Sequence, residues 1–163
     1  MRKDVLFKAG DFVFSFRVGG ILIHKNQILL QRLQDDDYAI PGGHVSGLET
    51  TAETLKREFK EELHTDVAVD NLLAVGEVFI PWENKPCHQV CFYYKVHLCD
   101  VNSIPSEGVV HGFDELDRQR FDLDFCWVPL NELKNGLKIY PPDLISIILD
   151  GKKEISHFVY KEL

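Results

Sequence analysis

Short runs rich in valine, phenylalanine and tyrosine, an amphipathic helix set between them, and a second helix late in the chain together predict an α/β sandwich with a central mixed β-sheet. The 163 residues fit a single domain, because a core of that size buries most of its apolar surface without a second unit. No internal repeat, low-complexity tract or linker divides residues 1–163.

Residues 11–33 read as two strands joined by a tight turn. Phe12, Phe14 and Phe16 alternate with smaller or polar residues, and Lys25-Asn26 supplies the turn. The acidic run Asp35-Asp36-Asp37 and then Pro41-Gly42-Gly43 interrupt regular structure, so a loop is expected there, with the glycines taking backbone conformations that a side chain would hinder. Thr50 followed by Glu53 has the capping-box spacing, and Ala52, Leu55, Phe59 and Leu63 recur at helical steps, which predicts a helix over residues 51–63. Residues 74–80, 89–98 and 125–129 carry the composition of strands. Pro141-Pro142, then Asp143 and an isoleucine- and leucine-rich stretch ending at Gly151, predicts a capped helix covering one face of the sheet.

Composition excludes several functions. With 45% hydrophobic and 27% charged residues and no apolar run long enough to span a bilayer, the chain reads as soluble, with no membrane partner. The residues before Asp11 lack the pattern of a secretory signal. Cys87, Cys91, Cys99 and Cys126 contain no CxxC pair and read as free thiols in a reducing cytoplasm. A net charge of -8 argues against a nucleic-acid duplex as partner, since such binding needs a basic face, and disfavours RNA-end processing. The acid excess suits solubility or a cation.

Chemistry concentrates in residues 42–65, GGHVSGLETTAETLKREFKEELHT. On a helix, Glu58, Glu61 and Glu62 fall within an arc of roughly 100°, beside the apolar face rather than within it. Like charges at such steps cost a helix a few tenths of a kcal/mol per pair, a repulsion that a hard divalent cation offsets. A solvated acidic face, with Arg57 and Glu61 as an ordinary surface pair, is the alternative. The glycine segment ahead of the helix adds a place where an anionic ligand can approach backbone closely.

Gly43, Glu49, Arg57, Glu58, Phe59, Glu61 and Glu62 stand in the register G, five residues, E, seven residues, R-E-U-x-E-E, where U is bulky and apolar. In this the chain resembles the Nudix (MutT-like) hydrolase family, whose box would occupy residues 43–65. His64 and Thr65 depart from the glycine and aliphatic residue that close the family pattern. A histidine tolerates the left-handed conformation of a helix end better than most residues, so the departure bears on the helix end rather than the acidic cluster.

The resemblance implies a Nudix-type α/β/α sandwich and a Mg2+-dependent pyrophosphohydrolase, with Mn2+ as a substitute. Its substrate would be a small nucleotide, a nucleoside diphosphate linked to another moiety, as in a nucleoside triphosphate or a nucleotide sugar such as ADP-ribose. It implies Glu58, Glu61, Glu62 and the Gly42 carbonyl as metal ligands, Glu58 alternatively handling the attacking water, and Glu49 with Arg57 bracing the loop against the helix. A homodimer is compatible with the family. A non-catalytic nucleotide sensor on the same fold is the rival reading, against which the intact glutamates weigh.

Candidates outside the helix rest on weaker signals. Arg32 suits a substrate phosphate, or a surface pair with Asp35 or Asp36. Gly43 and His44 lie where substrate would pass, and Trp82 or Phe79 offers a face for a base, although aromatics in strands are more often core. Some family members draw a further carboxylate from a later loop; of Glu107, Asp114 and Glu115, Glu115 is favoured, with an acidic surface loop as the plainer reading.

Overall fold

The computed structural model describes residues 1–116 and 118–163. In chain order the strands are β1 (Leu6–Ala9), β2 (Phe12–His24), β3 (Gln27–Arg32), β4 (Tyr38–Ala39) and β5 (Gly42–His44). Helix α1 (Thr51–Leu63) follows, then β6 (Val67–Trp82), β7 (Lys85–Leu98), β8 (Val109–Leu116) and β9 (Gln119–Pro129). Helix α2 (Leu130–Lys134), β10 (Ile139–Tyr140), helix α3 (Leu144–Asp150) and β11 (Ser156–Lys161) complete the order. Pairs β2–β7, β4–β10 and β6–β11 are parallel and the others antiparallel, so the sheet is mixed as expected.

Strand β2 organises the molecule. One edge pairs with β7 from Val13 to Leu22, while the other meets β1, β5 and β3 in succession. Beyond His24 the chain reverses through Lys25 and Asn26, both at positive φ, the geometry of a two-residue hairpin loop. Because β3 continues against β9 rather than along the whole of β2, two parts of the sheet diverge and leave a cleft between them.

Two apolar clusters lie on opposite faces. Val18, Leu22 and Leu29 join Leu55, Phe59 and Leu63 of α1, whereas Ile21, Ile28 and Leu30 join Leu133 and Leu144 of α2 and α3. The strand period of two therefore sends alternate residues of β2 and β3 into different cores. At Gly20 a methyl group would come within 2.8 Å of the Phe59 ring, so the bare backbone there lets α1 seat against the strand.

Several expectations need correction. Residues 42–44 form β5 and not a loop, and neither glycine takes a positive φ. Their need is for space: a methyl on Gly42 would overlap the Val18 carbonyl oxygen, and one on Gly43 would lie 2.6 Å from a Glu58 carboxylate oxygen. In the first part of β2, residues 12–16, Val13 and Ser15 are buried while Phe12 is 42% exposed and Phe14 and Phe16 are half-buried, so there the phenylalanines mark the more open face. Asp114 and Glu115 sit in a strand rather than a loop. The late helix is shorter than its sequence pattern, and Asp143 makes no side-chain cap, although Gly151 closes it in the left-handed conformation.

Candidate functional site

Helix α1 owes its fixed start to a complete capping box, in which the Thr50 hydroxyl accepts from the Glu53 amide and the Glu53 carboxylate accepts from the Thr50 amide at 2.8 Å. Its end is His64 at φ 53°, whose amide donates to the Lys60 carbonyl. With both ends set, the acidic face meets β5 and β8. Together they enclose a cavity of about 330 Å3 lined by Gly42, Gly43, Glu58, Glu61, Glu62 and Asp114 among others.

Arg57 ties this face together. Its Nε donates to both Glu49 carboxylate oxygens at 3.1 Å, and Nη1 donates to Glu58 at 2.8 Å and to Glu61 at 3.2 Å. The Ser46 hydroxyl accepts from Nη2, and Thr54 donates to Glu49, so the brace joins the loop before the helix to the helix itself. The Arg57 side chain is only 16% exposed, where ion pairs are less screened than at the open surface. Arg2 adds a second cation to Glu61, at 2.8 Å.

The three glutamates differ in setting. Glu61 is exposed to solvent, whereas Glu62 is buried, contrary to the expectation that all three flank the apolar face. Burial, then the negative charges of Glu58 and Asp114, pushes the Glu62 carboxyl up to about 8. Burial also raises Glu58, with Arg57 acting against it. His44 is held down to about 4 by burial first and by Arg17 second.

Among the described residues, no three His, Cys, Asp or Glu side chains meet closely enough to form a ready-made metal cage. The shared Arg57 guanidinium gives the physical reason, since it holds Glu58 and Glu61 toward itself. The donor set nevertheless suits Mg2+, which takes one or two carboxylates and fills its remaining positions with water and phosphate. A carboxyl raised by burial and then by its neighbours' charges, beside a glycine strand that a methyl group would obstruct, fits such an ion.

A second cavity, of about 440 Å3, occupies the cleft between the diverging parts of the sheet. Trp82, Tyr93, Tyr140 and Tyr160 line it, with Val78, Ile40 and Pro81. Arg17 and Gln31 line both cavities and so mark their junction.

The sequence candidates divide accordingly. Glu58, Glu61, Glu62, Arg57, Gly42, Gly43, His44 and Glu115 line the acidic cavity, and Trp82 lines the apolar one, its ring 5.9 Å from that of His44. Glu49 acts on the acidic cavity through Arg57. Arg32 lies outside both, half-exposed and 3.9 Å from Asp36; the period of two turns its neighbour Gln31 inward instead. Phe79 stacks on His88, away from the cleft. Glu107 is also outside, and Asp114 is the β8 carboxylate whose charge acts on Glu58 and Glu62. Sequence reasoning missed Arg17, Gln31, Tyr140 and Tyr160; only Arg17, a lone cation in the apolar run of β2, left a signal.

An α/β sandwich with an arginine-braced acidic helix beneath a glycine strand defines a hydrolase of the Nudix type. A family model described as the NUDIX domain matches residues 14–147, and the chain belongs to the Nudix family. Its fold is similar to an ADP-ribose pyrophosphatase of Streptococcus suis 89-1591, with 13% identity, a TM-score of 0.57, and 88% of this chain and 98% of that one covered. A NUDIX hydrolase from Nitrosomonas europaea aligns at 18% identity and TM-score 0.59, over 90% and 79%. A mutator MutT protein from Bacillus halodurans aligns at 19% and 0.55, over 90% of each chain. A comparison with curated proteins gave no match. Among the described residues no helix is long and apolar enough to cross a membrane.

Proposed function

We propose that residues 1–163 act as one Mg2+-dependent unit that hydrolyses the pyrophosphate bond of a nucleoside diphosphate linked to another moiety. The observation that carries this reading is the junction of an acidic cavity with an aromatic one at Arg17 and Gln31. A nucleotide has the matching polarity: its phosphates suit the acidic side once a cation is bound, and its base suits the rings of Trp82, Tyr140 and Tyr160.

Glu58, Glu61, Glu62 and the Gly42 carbonyl would hold the ion, with Mn2+ as a substitute. Bound Mg2+ supplies positive charge where the phosphate oxygens and leaving group become more negative. Arg17 holds a substrate phosphate at the junction, a role its guanidinium can fill bidentately. Glu49 and Arg57 keep the helix in register with β5. Water adds to one phosphorus, the bridging P–O bond breaks, and the water proton leaves through a carboxylate of the cluster, giving two phosphate-containing products. The four cysteines stay free, which supports a reducing compartment, the cytoplasm.

The test is a panel of nucleoside triphosphates, nucleotide sugars and dinucleoside polyphosphates, incubated with Mg2+ and separately with Mn2+ and read by analysis of phosphate products. Turnover of at least one class is expected. A panel left intact with both ions would overturn the reading.

A further inference from the structure

We propose that Gln31 reads the sugar of the substrate, so that the chain selects ribonucleoside diphosphate derivatives over their 2′-deoxy counterparts. The inference rests on the nucleotide reading above and adds to it a substrate class and the residue that sets it.

Arg17 and Gln31 line both cavities. They come from different strands, β2 and β3, that part at the cleft. A nucleotide with its base among Trp82, Tyr140 and Tyr160 and its pyrophosphate beside Glu58 and Glu62 has one segment left to lie at that junction, the pentose with its 5′-phosphate. The two junction side chains differ as the two parts of that segment do. A guanidinium matches phosphate oxygens, whereas a neutral amide, which both donates and accepts, matches a hydroxyl.

Arg32 next to it pairs with Asp36 on the outside, so the strand turns the amide inward and the charge outward. Gln31 is half-buried at this junction, beside Leu33, Ala39 and Ile40, so a ligand hydroxyl seated there replaces water on its amide with a direct hydrogen bond. A site that satisfies its polar group through a substrate hydroxyl rejects the analogue lacking it more strongly than an apolar pocket rejects a change in size.

The experiment compares matched pairs, ribonucleoside and 2′-deoxyribonucleoside forms of the triphosphates, nucleotide sugars and dinucleoside polyphosphates of the panel above, by kcat/KM with Mg2+. Binding of α,β-methylene analogues of the same pairs is measured by calorimetry on the unmodified chain. A ribose preference of about ten- to a hundredfold is expected, narrowing toward unity in Gln31→Leu. Gln89→Leu, altering an amide that lines the aromatic cavity alone, should leave the ratio wide. Thermal melting of each variant separates a lost preference from a lost fold, and the calorimetry on the unmodified chain tests the ribose preference itself without any variant. Equal use of both members of each pair would overturn the inference while leaving the nucleotide reading intact. So would a preference that persists in folded Gln31→Leu or disappears only in Gln89→Leu. Failure to bind or turn over any pair would overturn both.

Discussion

The acidic cavity and the aromatic one share Arg17 and Gln31, yet they are built in different ways. The acidic wall comes largely from β5 and α1, close together in the chain and locked by the Thr50 cap and the Arg57 brace. The aromatic wall gathers β2, β3, β6, β7, β10 and β11, which meet only when the whole sheet has formed. A locally built wall tolerates little change, because one methyl at Gly43 already meets Glu58. A wall drawn from many strands can exchange single side chains, such as Tyr140 or Trp82, without moving the others. The proposed function thus assigns the chemistry to the rigid half and ligand choice to the adaptable one.

Four measurements sharpen that contrast or break it. The largest effect is expected for Glu62→Gln, which should lower kcat/KM by about 10³-fold, beyond the 10–100-fold typical of residues that only support a metal ligand. A variant retaining most of its turnover would remove Glu62 from the chemistry.

Next in size is the pH dependence of stability in EDTA. Glu62 has its folded value raised from 4.5 to about 8, so the folded state holds the proton more tightly and stability falls as pH rises between those values. His44 is lowered from 6.5 to about 4, so it adds stability as pH rises between about 4 and 6.5, opposing Glu62 in the shared range. A net fall on the order of a few kcal/mol is therefore expected chiefly between about pH 6.5 and 8. Chemical denaturation across that range should show it in the unmodified chain and not in Glu62→Gln, and added Mg2+ should shrink it.

Gly43→Ala should follow, with kcat/KM down about 10–100-fold and the fold retained by circular dichroism, since its methyl displaces the Glu58 carboxylate. An active Gly43→Ala enzyme would mean that the rigid half yields more than its packing suggests. The smallest effect is expected in the aromatic half. Tyr160→Ala should raise KM about tenfold with kcat nearly unchanged, the loss of one stacking face. A large fall in kcat instead would erase the division of labour.

The same contrast explains what was legible before the structure. Thr50, Glu53 and the Leu55, Phe59, Leu63 stripe act within α1, so local spacing was enough to give the helix and the order of its carboxylates. Lys25-Asn26 gave the β2–β3 hairpin for the same reason. The edge strand β11 and the strand character of Asp114 and Glu115 depend on pairing with β6 and β9, partners that periodicity does not reveal. Arg32 was chosen for its charge, but the face it occupies follows from where β3 meets β9 and β4, and that register turned Gln31 inward. Glu62 was placed at the margin of the apolar face because a helix wheel omits β8, whose Gly112 lies close enough that a methyl there would stand 2.5 Å from the Glu62 carbonyl oxygen.

Arg57 has a further effect through its reach across Glu49, Glu58 and Glu61. A permanently charged side chain already serves these acids, so a divalent ion held there, as proposed, would exchange with the guanidinium as the counter-ion of Glu58 and Glu61. A site without its ion would then keep Glu58 and Glu61 paired rather than leave a cluster of bare carboxylates.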